Sequence, residues 1–347
     1  MRYLKSLSLV MVMVMAVASL LAGCGSDEPK PKLIFADLNW SSALVQNEIA
    51  RTILGTGYGY ETDAVSGGTI PLMQALTKGD VNVNLEIWMP NQAAAYGEAK
   101  AAGVTTEIGK SITTGAWQST FIIPKYTADA NPWLKKASDL KDPRATELFK
   151  SPMSKGKVGI ITCIPGWECE KVNEKQVYAY GLKDAVELIN PGSYAALNAE
   201  ILGSYEKKQD VVHYYWGPEA LPGKLTAEHG GYVMLEEPAY TKACWDEIAA
   251  ADKADDMVGK DGCGYPLADV LIVVNKSQIT EENAPEVYEL FKQFAWTGGE
   301  IEVMLSHMAD NGLDAAETAK WVMTNSAFDK WKSWVDKDAL KKIEEVL

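Results

Sequence analysis

Histidine is scarce in this chain, and the three present, His213, His229 and His307, stand in unrelated contexts. With no paired Cys-x-x-Cys spacing either, a zinc ligand set is missing, and Asp252, Asp255 and Asp256 lack calcium-loop spacing. No metal is expected, and each histidine reads as an ordinary structural one. The Gly-x-Ser-x-Gly elbow is absent, as is His-Glu-x-x-His. Gly109-Lys110-Ser111 has Val104 where a phosphate loop needs its upstream glycine. Gly55, Gly57 and Gly59 follow a helical stretch, with Tyr60 in the third fingerprint position. A chain with neither base nor metal is expected to bind rather than transform, and needs no cofactor. Positive charge is in deficit too: 33 Lys and Arg against 47 Asp and Glu leave a formal net charge of −14. Such a surface repels nucleic acid. It suits a cationic or zwitterionic small ligand, although negative charge ordinarily serves solubility. Internal repeats are lacking, and beyond the first residues no run is long and apolar enough to cross a bilayer.

What is present begins at the N-terminus. Arg2 and Lys5 precede an apolar run from Leu7 to Leu21, and Leu21-Ala22-Gly23-Cys24 follows. These are the parts of a secretory signal, with an apolar core short for a membrane span. Leu-Ala-Gly-Cys resembles the lipobox of bacterial lipoproteins, which makes 1–23 a signal peptide, Cys24 the lipidated first residue and 24–32 a tether. A plain signal peptide cut nearby is the alternative. The expected product is exported, held to the cell membrane by its lipid, and monomeric. Export permits disulfides. Of the three pairings open to Cys163, Cys169, Cys244 and Cys263, Cys163–Cys169 with Cys244–Cys263 is preferred because each closes a local loop.

Apolar patterning alternates strand and helix. Strands are expected at Lys32–Ala36, Thr62–Val65, Val81–Trp88 (alternating), Phe121–Pro124, Val158–Thr162, Val211–Trp216, Tyr232–Leu235 and Val270–Val274. Helices are expected from a Ser41 or Ser42 cap through Ile53, at Ile70–Lys78, from Pro90, and at Asn173–Gly181 and Tyr194–Lys207. The tail after Pro285 reads as helical. This is an α/β chain with largely parallel sheets, long enough for two lobes. Lobe I would take 33–122 and 236–347, and lobe II 123–235.

Four tryptophans sit at turns: Trp40 before Ser41-Ser42, Trp88 before Met89-Pro90-Asn91, Trp167 in Pro165-Gly166-Trp167-Glu168-Cys169, and Trp216 before Gly217-Pro218. Loops on a rigid scaffold tend to carry binding residues. Indole faces are the best side-chain partners for a cation that lacks hydrogen-bond donors. A single tryptophan is more often core. Four spread over two lobes suggest a cage for a quaternary ammonium group. Trp321, Trp331 and Trp334, at helical spacing, read as core, as do Trp133, Trp245 and Trp296; Trp117 could serve either way.

Glu86-Ile87-Trp88-Met89-Pro90-Asn91, Cys163-Ile164-Pro165-Gly166-Trp167-Glu168-Cys169, Tyr214-Tyr215-Trp216-Gly217-Pro218 and Glu237-Pro238-Ala239-Tyr240 occur in this order. Together they resemble the glycine betaine/proline/choline-type substrate-binding proteins of ABC importers, over nearly the whole mature chain. The resemblance implies a type II-like periplasmic-binding-protein clamshell with a hinge, serving an ABC permease and its ATPase. It implies that Trp88, Trp167 and Trp216 form the cage, with Trp40 as an additional wall. A carboxylate tail would meet the backbone N–H groups of Glu168 and Cys169 and the side chain of Gln92. Two departures bear on the ligand. Gln92 can donate or accept, and Glu168 stands where glycine is common. Its side chain is expected to point to solvent; in the pocket it would repel a carboxylate and favour a pure cation. Ser41 and Ser42 stand where choline binders often have an acid. Glycine betaine is the first expectation, then proline betaine, carnitine, choline and trimethylamine N-oxide. A sensory or adhesive lipoprotein retaining the fold is the alternative, and an extracellular enzyme acting on methylated amines lacks its base or metal.

Overall fold

The computed structural model describes residues 29–113 and 119–347; the expected signal segment, Cys24 and Trp117 lie outside these. Leu33–Leu38 (β1) leads through Ser41–Thr52 (α1), Thr62–Gly67 (β2), Thr69–Lys78 (α2), Val83–Met89 (β3) and Ala93–Ala101 (α3) to Thr105–Thr113 (β4). A second run follows: Thr120–Pro124 (β5), Lys125–Ala130 (α4), Pro143–Phe149 (α5), Val158–Ile161 (β6) and Glu168–Ala179 (α6). It continues with Val186–Ile189 (β7), Tyr194–Glu206 (α7), Val212–Tyr215 (β8), Ala220–His229 (α8) and Tyr232–Met234 (β9). The chain then returns with Lys242–Ala250 (α9), Asp269–Asn275 (β10), Pro285–Gln293 (α10), Trp296–Thr297 (β11), Gly298–Asn311 (α11), Ala315–Thr324 (α12) and Lys337–Glu344 (α13).

Two sheets result, one per lobe: a six-stranded sheet ordered β11-β4-β10-β3-β1-β2 and a five-stranded sheet ordered β7-β6-β8-β5-β9. The architecture is the expected two-lobed α/β one, but the sheets are mixed rather than largely parallel. Crossover helices make β1, β2 and β3 parallel neighbours, and likewise β6 with β7 and β8. Strand β10 arrives from the other lobe and inserts antiparallel between β3 and β4, and β5 pairs antiparallel with β8 and β9.

Burial explains several other departures. Every residue from Val83 to Trp88 is buried, because helices and neighbouring strands cover both faces of a central strand. The expected half-exposed alternation is therefore absent, and the polar members of β3 point into protein. Helix α1 begins at Ser41, yet neither serine caps it: the N-cap residue is Trp40, without a side-chain cap. Ser42 instead donates its hydroxyl to Glu86 at 3.1 Å. Pro90 heads a turn, and α3 starts only at Ala93. In the tail, Thr297 and Glu300 cap α11 reciprocally. The end of the tail, expected to be helical, is a 3₁₀ segment, Ser326–Trp334, followed by α13. Trp331 and Trp334 are buried there, whereas Trp321 is half-buried and stacks on His307 at 3.7 Å between centroids. The cysteines pair as Cys163–Cys169 and Cys244–Cys263, with Cα separations of 5.9 and 6.3 Å. No helix among the described residues is long and apolar enough to cross a membrane.

Candidate ligand-binding site

The turns that follow β1 and β3 in one lobe, and β6 and β8 in the other, meet at the boundary between the sheets. Each delivers a tryptophan. Trp40, Trp88, Trp167 and Trp216 are all under 8 % exposed, and all four line one cavity of about 60 Å³. Thr69, Asn91, Gln92, Ser119, Glu168, Cys169 and Tyr214 complete its wall. Every residue singled out for ligand contact in the sequence is thus in one place, although they come from both lobes.

The rings meet edge to face. Trp167 stands between Trp40, 5.3 Å away at 81°, and Trp216, 5.1 Å away at 82°. Behind Trp216, Tyr215 stacks at 4.7 Å, and Tyr194 leans on both Trp167 and Trp216 at 6.2 Å. The peptide bonds Met89–Pro90 and Gly217–Pro218, just after Trp88 and Trp216, are both cis. Edge-to-face packing sets the positive edge of one ring against the negative face of the next, and where a ring lines the cavity that negative face is what a cation seeks.

Three of the four indole N–H groups, those of Trp40, Trp88 and Trp167, are anchored by hydrogen bonds. Trp40 and Trp88 donate to the same oxygen of Glu86, Oε2, at 2.7 and 3.0 Å. Ser42 reaches that oxygen too, and Gln46 Nε2 donates to Oε1 at 2.5 Å. Glu86 is fully buried, and burial raises its carboxyl pKa against the lowering effect of these four hydrogen bonds. Trp167 donates to Asn39 Oδ1 at 2.6 Å, a bond from one lobe to the other. Sequence reasoning misses Glu86 because a strand read as alternating sends its polar residues to solvent.

Opposite the rings lies a polar end. Trp167 is the N-cap of α6, so Glu168 and Cys169 occupy the first turn of that helix. First-turn N–H groups have no intrahelical partner and favour an anion. The buried Gln92 presents an Oε1 without a partner, as Asn91 does its Oδ1. Contrary to expectation, the Glu168 side chain does not point to solvent. It is 5 % exposed and lines the cavity. It also borders a second, polar cavity of about 300 Å³, shared with residues of α2 and α9 and with Glu98, Lys171 and Lys175. Burial raises its pKa, the Lys171 and Lys175 charges lower it, and Glu98 raises it further.

Among the described residues, no group of three or more histidine, cysteine or acidic side chains is placed to hold a metal. His213 is buried and lies 3.2 Å from the Tyr205 hydroxyl; burial lowers its pKa to about 4, so the ring is neutral.

Residues 31–325 match the family model described as the substrate binding domain of the ABC-type glycine betaine transport system. The chain belongs to this family. It is 29 % identical over 221 residues to the glycine betaine-binding periplasmic protein of Dickeya dadantii, a match that spans 62 % of each chain. It is 23 % identical over 331 residues to the trimethylamine N-oxide-binding protein of Pelagibacter ubique, covering 93 % of this chain and 97 % of that one. Among solved structures, the glycine betaine, L-proline ABC transporter binding protein of Borrelia burgdorferi superposes with a TM-score of 0.69 at 18 % identity. That superposition covers 90 % of this chain and 99 % of the other. The family is one of transport substrate-binding domains, not enzymes.

Proposed function

We propose that this protein captures a small quaternary ammonium solute, glycine betaine first, between its lobes and delivers it to an ABC permease driven by its ATPase. The observation that carries the reading is the convergence of Trp40, Trp88, Trp167 and Trp216 from both lobes on one cavity. A trimethylammonium head cannot donate strong hydrogen bonds, and indole faces are what such a group requires. At about 2 kcal/mol or more for each desolvated contact, three or four walls supply most of the roughly 8 kcal/mol of a micromolar complex. The carboxylate of glycine betaine would take the N–H groups of Glu168 and Cys169 at the start of α6, with Gln92 beside it. Contacts to both lobes make the closed form the ligand-preferring one, which a permease can read. The lobes would be 33–122 with 236–347, and 123–235. Export fits the periplasmic relative and the two disulfides, with anchoring through lipid on Cys24 and the protein acting as a monomer.

A second reading follows from Glu168. A carboxyl group held at the cavity wall, its pKa raised by burial, repels a ligand carboxylate when charged and offers an O–H donor when neutral. The charged state favours a pure cation such as choline over glycine betaine, whereas the neutral O–H serves the oxygen of trimethylamine N-oxide as well as a carboxylate. A tryptophan-fluorescence titration with glycine betaine, proline betaine, carnitine, choline and trimethylamine N-oxide decides between them. Trp88→Ala and Trp216→Ala should each weaken the tightest ligand at least about 30-fold, the equivalent of 2 kcal/mol, with the fold retained. Calorimetry giving an unchanged affinity in either variant would remove the cage assignment.

A further inference from the structure

We infer that Glu86, which does not line the cavity, is a positioning and specificity residue: one carboxylate oxygen that holds Trp40 and Trp88 as a single wall and polarises both rings toward a cation. The inference rests on the proposed quaternary ammonium reading and deepens it. Its basis is geometric. Glu86 Oε2 receives the indole N–H of Trp40 at 2.7 Å, that of Trp88 at 3.0 Å and the Ser42 hydroxyl at 3.1 Å. Gln46 Nε2 donates to Oε1 at 2.5 Å. Three of these four partners are N–H groups, which only donate, so the arrangement suits an ionised carboxylate, acceptor on both oxygens. It is also a complete one: a fully buried charge with four donors is paired as buried charge must be.

Two consequences follow for the cage. The tryptophans belong to different segments, one at the start of α1 and one at the end of β3, and share no hydrogen bond with each other. Glu86 fixes the angle of each ring by fixing its N–H, so the spacing of the wall is set before a ligand arrives. A hydrogen bond to a charged acceptor is also stronger than a neutral one and polarises its donor. Electron density drawn toward the ring makes the indole face more attractive to a cation. The ligand head, which can touch no carboxylate through a hydrogen bond, thereby feels one through the two rings. A neutral isostere of the head, carrying the same methyl groups without the charge, gains none of this.

The test uses the full mature chain and two kinds of variant. Glu86→Gln keeps the shape but supplies an amide whose NH₂ faces donors. Trp40→Phe keeps Glu86 and removes one N–H. In ligand-free protein, the indole ¹H–¹⁵N resonances of Trp40 and Trp88 should both move in Glu86→Gln, and that of Trp88 should move in Trp40→Phe because the two share Oε2. In Glu86→Gln, affinity for the best ligand of the panel should fall at least tenfold, a change that loss of folded protein alone does not give when the active fraction is titrated. A chemical-denaturation curve on the same sample reports that fraction. Affinity within twofold of wild type in Glu86→Gln overturns the inference, as do unshifted indole resonances. Should Glu86→Gln fail to fold, the Trp88 shift in Trp40→Phe decides. Wild-type protein that binds none of the five solutes removes the proposed function alone, and the ligand-free resonances still show whether Glu86 holds both rings.

Discussion

The two halves of the aromatic wall are built on different principles. In the first lobe, Trp40 and Trp88 are fixed by a carboxylate of their own lobe, Glu86, inside the centre of a sheet. In the second, Trp167 and Trp216 rest on Tyr194 and Tyr215, and the disulfide Cys163–Cys169 closes the loop that carries Trp167. The Trp167 ring is fixed by donating its N–H to Asn39 Oδ1, across the cleft. One wall is complete in an isolated lobe, and the other is completed only when the lobes meet. A clamshell built this way has a preformed receiver and a closing jaw. Ligand bound first to the Trp40–Trp88 wall would draw the Trp167 loop onto it, so affinity depends on what lets the jaw seat.

The contact that seats it most tightly is glycine on glycine. Ile70 N–H at the start of α2 donates to Gly166 O at 3.1 Å, and a Cβ on Gly68 would lie 2.7 Å from that same oxygen. Gly68 itself has φ −82° and ψ 173°, which alanine adopts without strain. Gly68→Ala should therefore leave the open form intact while the closed one carries an overpacking cost of about 1–3 kcal/mol. Affinity should drop by up to about 100-fold, with an unchanged melting temperature in the absence of ligand. Small-angle scattering should show the liganded variant more open. Wild-type affinity in this variant would mean that the lobes approach otherwise than through these two loops.

Asn39→Ala probes the ring bond across the cleft. Trp167 is buried, so in the closed form its N–H would lose its partner, whereas in the open form water replaces Asn39. A net cost of about 1–1.5 kcal/mol corresponds to roughly a tenfold loss of affinity. The comparison predicts an asymmetry as well: Asn39→Ala should raise the dissociation rate and leave the Trp40 and Trp88 indole resonances of the ligand-free protein unmoved. Shifts of those resonances in Asn39→Ala would mean that the first wall is not independent of the second.

The same asymmetry explains what can be read from the residues. Tryptophans beside proline and glycine at turns are visible as pattern, and all four converge, because turns at the ends of sheet strands are where the two lobes face each other. Glu86 is not visible in this way. It sits in Val83-Asn84-Leu85-Glu86-Ile87-Trp88, where alternation suggests a solvent face, and only the covering of both faces turns it inward. The burial of Glu168 is hidden for a related reason, since the surfaces around it, from α2, α3 and α9, come from distant parts of the chain. Strand β4 escapes a reading of pattern because Thr105–Thr113 has few apolar residues and partly exposed faces. Strand β7 is four residues long, and α8 contains Pro222 and Gly223, both weak helix formers. Conversely, the apolar runs that define β1, β6 and β8 are buried throughout or nearly so, and those strands are plain.

A last contrast between the walls concerns their buried carboxylates. Glu86 has four donors; Glu219, behind the second wall, takes the Tyr194 hydroxyl on Oε2 at 2.7 Å and leaves Oε1 without a partner. Burial, with the nearby Glu86 charge adding to it, raises the Glu219 pKa from 4.5 to about 8. Folded protein thus keeps a proton on Glu219 at neutral pH that unfolded protein releases. Below pH 4.5 both forms hold it, and the folded state has its full advantage. As pH rises from 4.5 toward 8 the unfolded chain ionises freely while the folded one does not, and stability falls at up to about 1.4 kcal/mol per pH unit. Above the folded pKa the loss levels off. Glu219→Gln cannot ionise, so its melting temperature should decline less than that of wild type between pH 5 and pH 8, by a few degrees for a chain of this length. Glu237, whose pKa burial raises to about 7, titrates in both proteins and cancels from the difference. Parallel melting curves across that range would show that Glu219 is ionised in the folded protein, which would give the second wall a buried charge to match the first.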